Sequence, residues 1–258
     1  MSDKYKYKLG LALSGGGVKG FAHAGALKAM EEYGLRPDVI SGTSAGAIVG
    51  SMYAAGLTPD KIKDLFHERY INNFLEFTLP KAGLFGTADF IKFLRENLPV
   101  NSFEDLRIPL HVVATDFDNG KSVVFSSGEL STRVMASSCV PVFFKPIEIE
   151  GIHYVDGGLF RNFPVSVIRE DCEKVIGINV SPLLKDKFSN SILGVAERTY
   201  HFVFRANAQL EKKYCDILVE VEEAMQFKAY DLNKLDTIFN LGYNAMKDAL
   251  EKKPEALL

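Results

Sequence analysis

Cysteine is scarce in this sequence, which contains three cysteines among 258 residues. Cys139, Cys172 and Cys215 are widely spaced and odd in number, and no CxxC pair suggests zinc binding or redox chemistry. The pattern predicts buried thiols in a reducing compartment.

Positive charge is not in excess either. Thirty lysines and arginines face 33 aspartates and glutamates, which gives a formal net charge of -3 and a pI near 6.0. This balance provides no basic field for binding nucleic acid. Lys4, Lys6 and Lys8 alternate up to the start of the first predicted strand and are most simply a solvated approach to it. They leave open a transient contact with an anionic membrane surface.

Long hydrophobic runs are also missing. Residues 39–59 carry no charge, but serines and threonines interrupt them, so no transmembrane segment is predicted. The run Leu9–Leu13 is too short for the apolar region of a signal peptide. The composition is 47% hydrophobic and 24% charged, and no linker, low-complexity tract or internal repeat divides it. We therefore expect one soluble, cytoplasmic domain over residues 1–258.

The order of helix and strand signals predicts an α/β fold, with a mostly parallel central sheet flanked by helices. The predicted strands are Lys8–Ser14, Val39–Ser41, Leu110–Thr115, Lys174–Val180 and Asp216–Val221. Helices are predicted up to residue 30 after the first strand, over 45–55, from 58 to about 70, from near 87 to before 99, over 189–214 and over 232–253. Asn119-Gly120 predicts a hairpin turn, and Asn162 predicts the cap of a helix at Pro164.

Against this background, Gly42-Thr43-Ser44-Ala45-Gly46 is a GxSxG pentapeptide between a predicted strand and a predicted helix. A serine on such a sharp turn projects its hydroxyl away from the backbone, and the turn requires small residues two positions to either side. Ser44 is therefore the candidate nucleophile. Glycine and serine also cluster in ordinary turns, so the motif needs support from elsewhere in the chain.

Upstream, the first strand leads into Gly15-Gly16-Gly17-Val18-Lys19-Gly20 and then a helix. Bare N–H groups at a helix N-terminus, with the positive end of its dipole, suit the oxyanion formed when a serine attacks an ester. The spacing GxGxxG also matches a dinucleotide-binding loop. That alternative needs an acidic residue at the end of the second strand, where this chain has Ser41-Gly42-Thr43-Ser44.

A third motif that could carry catalytic residues is Tyr154-Val155-Asp156-Gly157-Gly158. Asp156 ends a strand-like segment, and the two glycines after it allow backbone or substrate to approach its carboxylate. Asp156 is the candidate base, although a lone aspartate here would also fit an ordinary strand-ending turn. Asp116 also ends a strand and is the alternative acid; its structural role would be to fix the local hairpin.

GGGVKG, GTSAG and DGG in this order resemble a patatin-like phospholipase, a family of serine lipid acyl hydrolases with a Ser/Asp dyad. Residues 136–144 and 114–116 are similar to further segments of the family. The resemblance implies a three-layer α/β/α fold, Ser44 as nucleophile and Asp156 as base. It also implies an oxyanion hole formed by three glycines, Gly15, Gly16 and Gly17.

Around this core, Lys19, Gly157 and Gly158 are candidate supporting residues. Many family members have arginine where this chain has Lys19, and an ammonium group cannot make the bidentate contacts of a guanidinium. The resemblance implies hydrolysis of a lipid or acyl-ester substrate without a metal or organic cofactor. It leaves open which lipid ester is cleaved.

Three alternatives remain open. Residues 71–93 are rich in phenylalanine around Pro80 and Gly83, and they would form either an acyl-chain lid or ordinary core. A histidine could serve as base, but only His201 follows Asp156 and it lies deep in a helical pattern. The chain could also be a non-hydrolytic lipid-binding or nucleotide-binding regulator of the same fold.

Overall fold

The computed structural model describes residues 4–66, 87–141, 143–182, 191–227 and 232–252. The strands of this part of the chain are β1 Tyr7–Leu13, β2 Val39–Thr43, β3 Leu110–Asp116, β4 Lys121–Phe125, β5 Ile147–Ile149, β6 Ile152–Asp156, β7 Cys172–Asn179 and β8 Ile217–Glu220. They form one sheet in the order β5-β6-β3-β2-β1-β7-β8, and β4 pairs with β3.

The centre of this sheet is parallel. β1 pairs in parallel with β2 and β7, β2 pairs in parallel with β3, and β7 pairs in parallel with β8. Among the named strands of the described residues, the antiparallel pairs are β3 with β4, β3 with β6 and β5 with β6. The prediction of a mostly parallel sheet flanked by helices is confirmed, and each predicted strand is present within a few residues of its predicted ends.

The helices are α1 Phe21–Glu32, α2 Ala45–Ala54, α3 over residues 59–66 of the described chain, α4 Thr87–Asn97, α5 Leu130–Ser138, α6 Gly158–Arg161, α7 Ile192–Glu211 and α8 Leu235–Lys252. None of these helices combines the length and apolar character needed to cross a membrane. The predicted hairpin at Asn119-Gly120 is confirmed, with Gly120 at φ 65° between β3 and β4. The predicted helix at Pro164 is only a 3-10 turn, Val165–Val167, and its cap has no side-chain hydrogen bond.

Alternate residues of β1 enter different halves of the core. Leu11 and Leu13 pack in a cluster with the apolar faces of α1, α2 and α8. Ala12 points to the other face of the sheet, in a cluster with Phe163 and Ala208 of α7. Because successive strand residues face opposite sides, one short apolar strand covers two helical layers. The result is a three-layer α/β/α arrangement.

Only part of the phenylalanine-rich segment 71–93 lies within the described residues. Residues 71–86 lie outside the described residues, so the lid hypothesis for them is not addressed. Phe90 and Phe93 fall in α4, where Phe93 is buried and its ring packs edge to face against Phe66. Phe93 is therefore a core residue.

The cysteines mostly follow the prediction. Cys139 and Cys172 are buried, Cys215 is partly buried, and all three are free thiols. Burial raises the pKa of the Cys172 thiol to about 11 and that of Cys215 to about 12. At neutral pH both thiols are protonated and poor nucleophiles.

Candidate active site

Ser44 lies where β2 ends and α2 begins, at the carboxyl end of a central parallel strand. Its backbone has φ 54° and ψ -121°, and Glu150 is the only other non-glycine residue with positive φ in the described chain. Such a conformation costs on the order of 1–3 kcal/mol and persists only where the surrounding structure enforces it. The side chain is 8% exposed at the start of the helix.

The two glycines of the pentapeptide are required by backbone contacts. A Cβ on Gly42 would lie 2.6 Å from the carbonyl oxygen of Gly46, and a Cβ on Gly46 would lie 2.3 Å from that of Leu13. Both contacts are shorter than a real Cβ tolerates, and backbone cannot move aside as a side chain can. Glycine at these positions lets α2 start directly against β1 and thereby sets the strained turn at Ser44.

Ser137 supports this turn from α5. The N–H of Ser44 donates to Ser137 Oγ at 2.9 Å, and the Ser137 hydroxyl donates to the carbonyl oxygen of Val113 at 2.6 Å. The Ser137 carbonyl also accepts the N–H of Gly157 at 3.3 Å. One buried serine therefore links the Ser44 turn, strand β3 and the loop after Asp156. The sequence placed it only in a segment of family resemblance, without a role.

Asp156 ends β6 and is fully buried. Burial raises the pKa of its carboxyl to about 7, while the nearby Ser44 hydroxyl and the N–H of Gly158 act in the opposite direction. Its Oδ1 accepts the Gly158 N–H at 2.7 Å. Its Oδ2 is buried and has no hydrogen-bond partner at ordinary distance and angle. The carboxyl is thus anchored through one oxygen, and the other is left to accept a proton.

The two glycines after Asp156 allow close packing. A Cβ on Gly157 would lie 2.2 Å from the carbonyl oxygen of Val113. A Cβ on Gly158 would lie 2.8 Å from the ring of Phe204 and 2.9 Å from Asn162 Oδ1. Glycine at both positions lets the loop pack tightly against its neighbours.

The glycine loop begins differently from the expectation. The N–H of Gly15 donates to the carbonyl oxygen of Asn162 at 2.9 Å, so this donor is already engaged within the protein. Gly17 has φ 59° and starts the 3-10 turn Gly17–Gly20, which continues into α1. The first N–H groups of a helix have no intrahelical acceptor. Gly16 and Gly17 therefore remain as candidate oxyanion donors, and Gly15 instead fixes the loop.

Two other residues of this region are buried beside the loop. Lys19 lies within the 3-10 turn and is 4% exposed. His23 Nε2 lies 2.8 Å from the carbonyl oxygen of Ser14, and burial lowers the pKa of His23 to about 4. This imidazole is neutral at physiological pH and is oriented by the end of β1.

Asp116, the alternative acid, is committed to the hairpin. Its Oδ1 accepts the backbone N–H of Asn119 at 2.9 Å, and Lys121 Nζ lies 3.7 Å from its Oδ2. Burial acts to raise the pKa of Asp116, but the hydrogen bonds from Asn119 and the charge of Lys121 hold it below the usual value. A carboxyl with a lowered pKa and occupied oxygens is a poor general base.

Helix α7 contributes two residues that the sequence did not single out. Asn207 Nδ2 donates to the carbonyl oxygen of Gly158 at 2.7 Å, and its Oδ1 accepts the N–H of Asn162 at 2.8 Å. The Tyr200 hydroxyl is buried without a hydrogen-bond partner, and burial together with the charge of Asp156 raises its pKa. Both residues lie within a helical pattern, where only the fold reveals which side faces Asp156.

We expect Asn207→Ala to lower kcat on a short-chain ester by about tenfold, with little change in KM. Loss of two hydrogen bonds would let the loop after Asp156 move, and if Asp156 takes part in the reaction a small displacement of it is costly. Steady-state kinetics measures the effect. Thr199→Ala, at an exposed position of the same helix, is the matched control and should retain wild-type kcat. Equal kcat in both variants would remove the positioning role of Asn207.

The fold and this edge of the sheet define an α/β protein of the kind that carries a serine on a strained strand-to-helix turn. The sequence model of the family described as Patatin-like phospholipase matches residues 11–168, which is more than half of the chain. The protein belongs to the patatin-like phospholipase family.

Individual relatives agree with this assignment. An uncharacterized NTE family protein of Mycobacterium tuberculosis is 33% identical over 167 residues, covering 62% of this chain and 45% of the relative. The human patatin-like phospholipase domain-containing protein 6 is 26% identical over 91% of this chain and 20% of the relative. An uncharacterized protein of Acanthamoeba polyphaga mimivirus is 28% identical over 94% of this chain and 93% of the relative. The chain thus spans less than half the length of the mycobacterial and human relatives.

Solved structures support the fold. VipD from Legionella pneumophila superimposes with a TM-score of 0.60 at 16% identity, covering 96% of this chain and 67% of the other. The ExoU–SpcU complex from Pseudomonas aeruginosa gives a TM-score of 0.52 at 16% identity, covering 98% and 52%. At this level of identity the likeness concerns the fold alone.

Proposed function

We propose that this protein hydrolyses carboxylic ester bonds of lipids through an acyl-enzyme on Ser44, with Asp156 as general base. The observation that carries the proposal is a strained serine whose hydroxyl lies beside the buried carboxyl of Asp156, while Oδ2 of that carboxyl has no hydrogen bond of ordinary distance and angle. Membership of the family supports a lipid substrate. We further propose that residues 1–258 form one such domain and that it acts in the cytoplasm.

In the first half-reaction, Ser44 Oγ attacks the ester carbonyl carbon while its proton moves to Asp156 Oδ2. The negative charge that develops on the carbonyl oxygen is stabilised by the N–H groups of Gly16 and Gly17, at the positive end of the helical segment leading into α1. The tetrahedral intermediate then expels the alcohol, which takes the proton from Asp156. The acyl group remains on Ser44.

In the second half-reaction, water gives a proton to Asp156 as its oxygen attacks the acyl carbon. Collapse of the second intermediate breaks the bond to Ser44 Oγ, which recovers the proton, and the carboxylic acid leaves. A carboxyl with an ordinary pKa of about 3.9 is a weak base for this task. Burial makes Asp156 a stronger base, because it raises the pKa of the carboxyl toward the working pH.

The proposal predicts a specific pH profile. Only ionised Asp156 can accept the serine proton, so kcat/KM for a short-chain ester should fall about tenfold per pH unit below pH 7 and level off above it. A titrimetric assay between pH 5 and pH 9 measures this without interference from the leaving group. A profile that stays flat down to pH 5 would contradict the assigned base.

Product analysis tests the substrate class most directly. A mixed lipid extract is incubated with the wild-type protein and, separately, with Ser44→Ala, and released fatty acids and lysolipids are identified by mass spectrometry. We expect free fatty acid only with the wild type. The accompanying products distinguish phospholipid, lysophospholipid, neutral ester and thioester substrates. Identical lipid profiles with both proteins would favour a non-hydrolytic regulator.

A further inference from the structure

Helix α7 turns an apolar face toward solvent. Its exposed large apolar side chains are 40–92% exposed: Ile192, Val195, Phe202, Val203 and Leu210. At 3.6 residues per turn, these positions fall within an arc of about 100° around the helix. The remaining exposed positions of α7 whose side chains are described, Thr199 and Ala206, fall in the same arc and carry no charge. We call this set the outer face of α7.

Three polar residues of the helix, Tyr200, Arg205 and Asn207, lie away from this face. Arg205 is 3% exposed, and Asn207 and Tyr200 are directed toward the Asp156 loop. An ordinary surface helix exposes mainly polar and charged side chains, whereas this helix exposes an apolar stripe. A contiguous apolar surface of this kind on a folded domain marks an interaction site.

The side of α7 that carries Asn207 and Tyr200, and not its outer face, contacts the proposed active site. α7 packs on α6, the short helix that starts in the Asp156 loop, and Asn207 bonds both ends of α6. Phe160 of α6 is 48% exposed and adds a further aromatic side chain on this side of the sheet. An occupant of the outer face is therefore held one helix away from the catalytic carboxyl.

Basic and aromatic groups border the outer face. The guanidinium of Arg198 lies 4.5 Å from the ring centroid of Phe202. At the carboxyl end of α7, Lys213 and Tyr214 are both exposed, and the Lys213 ammonium lies 5.0 Å from the Tyr214 ring. Cationic side chains and interfacial aromatics beside an apolar stripe are typical of helices that lie in a membrane interface.

We propose that the outer face of α7 docks on an anionic lipid surface, with the helix axis along the membrane plane, which brings the active site to its substrate. The inference rests on the proposed function in that a lipid is the substrate. A helix of 20 residues is about 30 Å long and about 10 Å wide, so the face offers roughly 300 Å². A second copy of the chain would need about 800 Å² per partner for a stable interface. A lipid surface has no such requirement.

Vesicle flotation with non-hydrolysable, ether-linked phosphatidylcholine, with and without ether-linked phosphatidylglycerol, tests the docking surface. The test variant is Phe202→Glu/Leu210→Glu, which places two charges in the outer face. The control is Asn240→Glu/Asn244→Glu, which places the same two charges at exposed positions of α8, on the opposite side of the sheet. Thermal melting checks that both variants are folded, and sedimentation velocity gives their oligomeric state.

We expect the wild type and the α8 control to float with the anionic vesicles, and the α7 variant to bind at least about tenfold more weakly. Because the lipids cannot be cleaved, this result does not depend on hydrolysis. A wild type that cleaves short esters but does not float would overturn the docking surface and leave the proposed function standing. Equal flotation of the α7 variant and the wild type would also overturn it. So would a wild-type dimer that the α7 substitutions dissociate, because the occupant would then be a second copy.

Discussion

Ser44→Ala is expected to abolish hydrolysis of short-chain p-nitrophenyl esters, to below about a thousandth of the wild-type rate. The substitution removes the only atom that would form the acyl-enzyme and keeps the Cβ, so the strained turn at φ 54° is preserved. The sequence suggests an exposed hydroxyl, but the residue is 8% exposed. Even so, loss of one hydroxyl should change the free energy of unfolding by no more than about 1 kcal/mol.

Ser51→Ala is the matched control for this experiment. Ser51 lies in the same helix, is fully buried and donates its hydroxyl to the carbonyl oxygen of Ile48 at 2.8 Å. It should keep nearly full activity with a similar cost in stability. Measurable turnover by a folded Ser44→Ala variant would remove Ser44 as the nucleophile.

Asp156→Asn is expected to lower kcat/KM by more than about a thousandfold, a scale typical of losing a catalytic base. The amide has nearly the same shape as the carboxyl but cannot accept the serine proton. The same substitution should change how stability depends on pH. The Asp156 carboxyl has a pKa of about 7 in the folded protein, against 3.8 for an aspartate free of the folded environment. The folded state therefore holds the proton more tightly than the unfolded state.

This pKa difference fixes the sign of the stability effect. Wild-type stability contributed by protonated Asp156 is present below pH 4 and is lost as pH rises through 7. Asparagine does not ionise, so Asp156→Asn should gain stability relative to the wild type between pH 5 and pH 8, by up to a few kcal/mol. Denaturant unfolding at both pH values measures this change. If Asp156→Asn instead loses stability relative to the wild type over this range, the pKa of the buried Asp156 carboxyl is not raised.

Asp116→Asn provides the control with the opposite sign. Its pKa is held below the usual value, so its stabilising contribution is present at neutral pH and is lost as pH falls through the acidic range. Activity should stay within about tenfold of the wild type, since its role is in the hairpin. His153→Ala and His201→Ala should likewise keep at least about a tenth of the activity. If either histidine variant is folded but inactive, the mechanism uses a histidine triad and not a Ser/Asp dyad.

The sequence predicts the strands and the local motifs well because their signals are local. An apolar run with a glycine turn after it identifies β1 and β2, and Asn119-Gly120 identifies the hairpin from two residues. The packing of Gly42 against the backbone of Gly46 follows from the same short segment. These features depend on neighbours in the chain, so the amino-acid pattern contains them.

Local sequence patterns do not predict the long-range hydrogen bonds that hold the candidate active site in place. Asn162 precedes a proline in the manner of a helix cap, yet its carbonyl anchors Gly15, which is 147 residues away. Asn207 lies within α7, and its partners lie 45 and 49 residues earlier. The exposed apolar stripe of α7 is equally hidden, because helical periodicity indicates an apolar face but not whether that face is buried.

The most direct test of the Ser44–Asp156 pair is the site and pH dependence of labelling by a fluorophosphonate. Intact-mass and peptide-level mass spectrometry would follow the wild type and Asp156→Asn between pH 5 and pH 9. We expect a single adduct on Ser44, with a rate that rises with pH to a plateau above about pH 7, and labelling at least about a hundredfold slower in Asp156→Asn. An adduct on another residue, or equal labelling rates in the two proteins, would contradict the proposed Ser44–Asp156 pair.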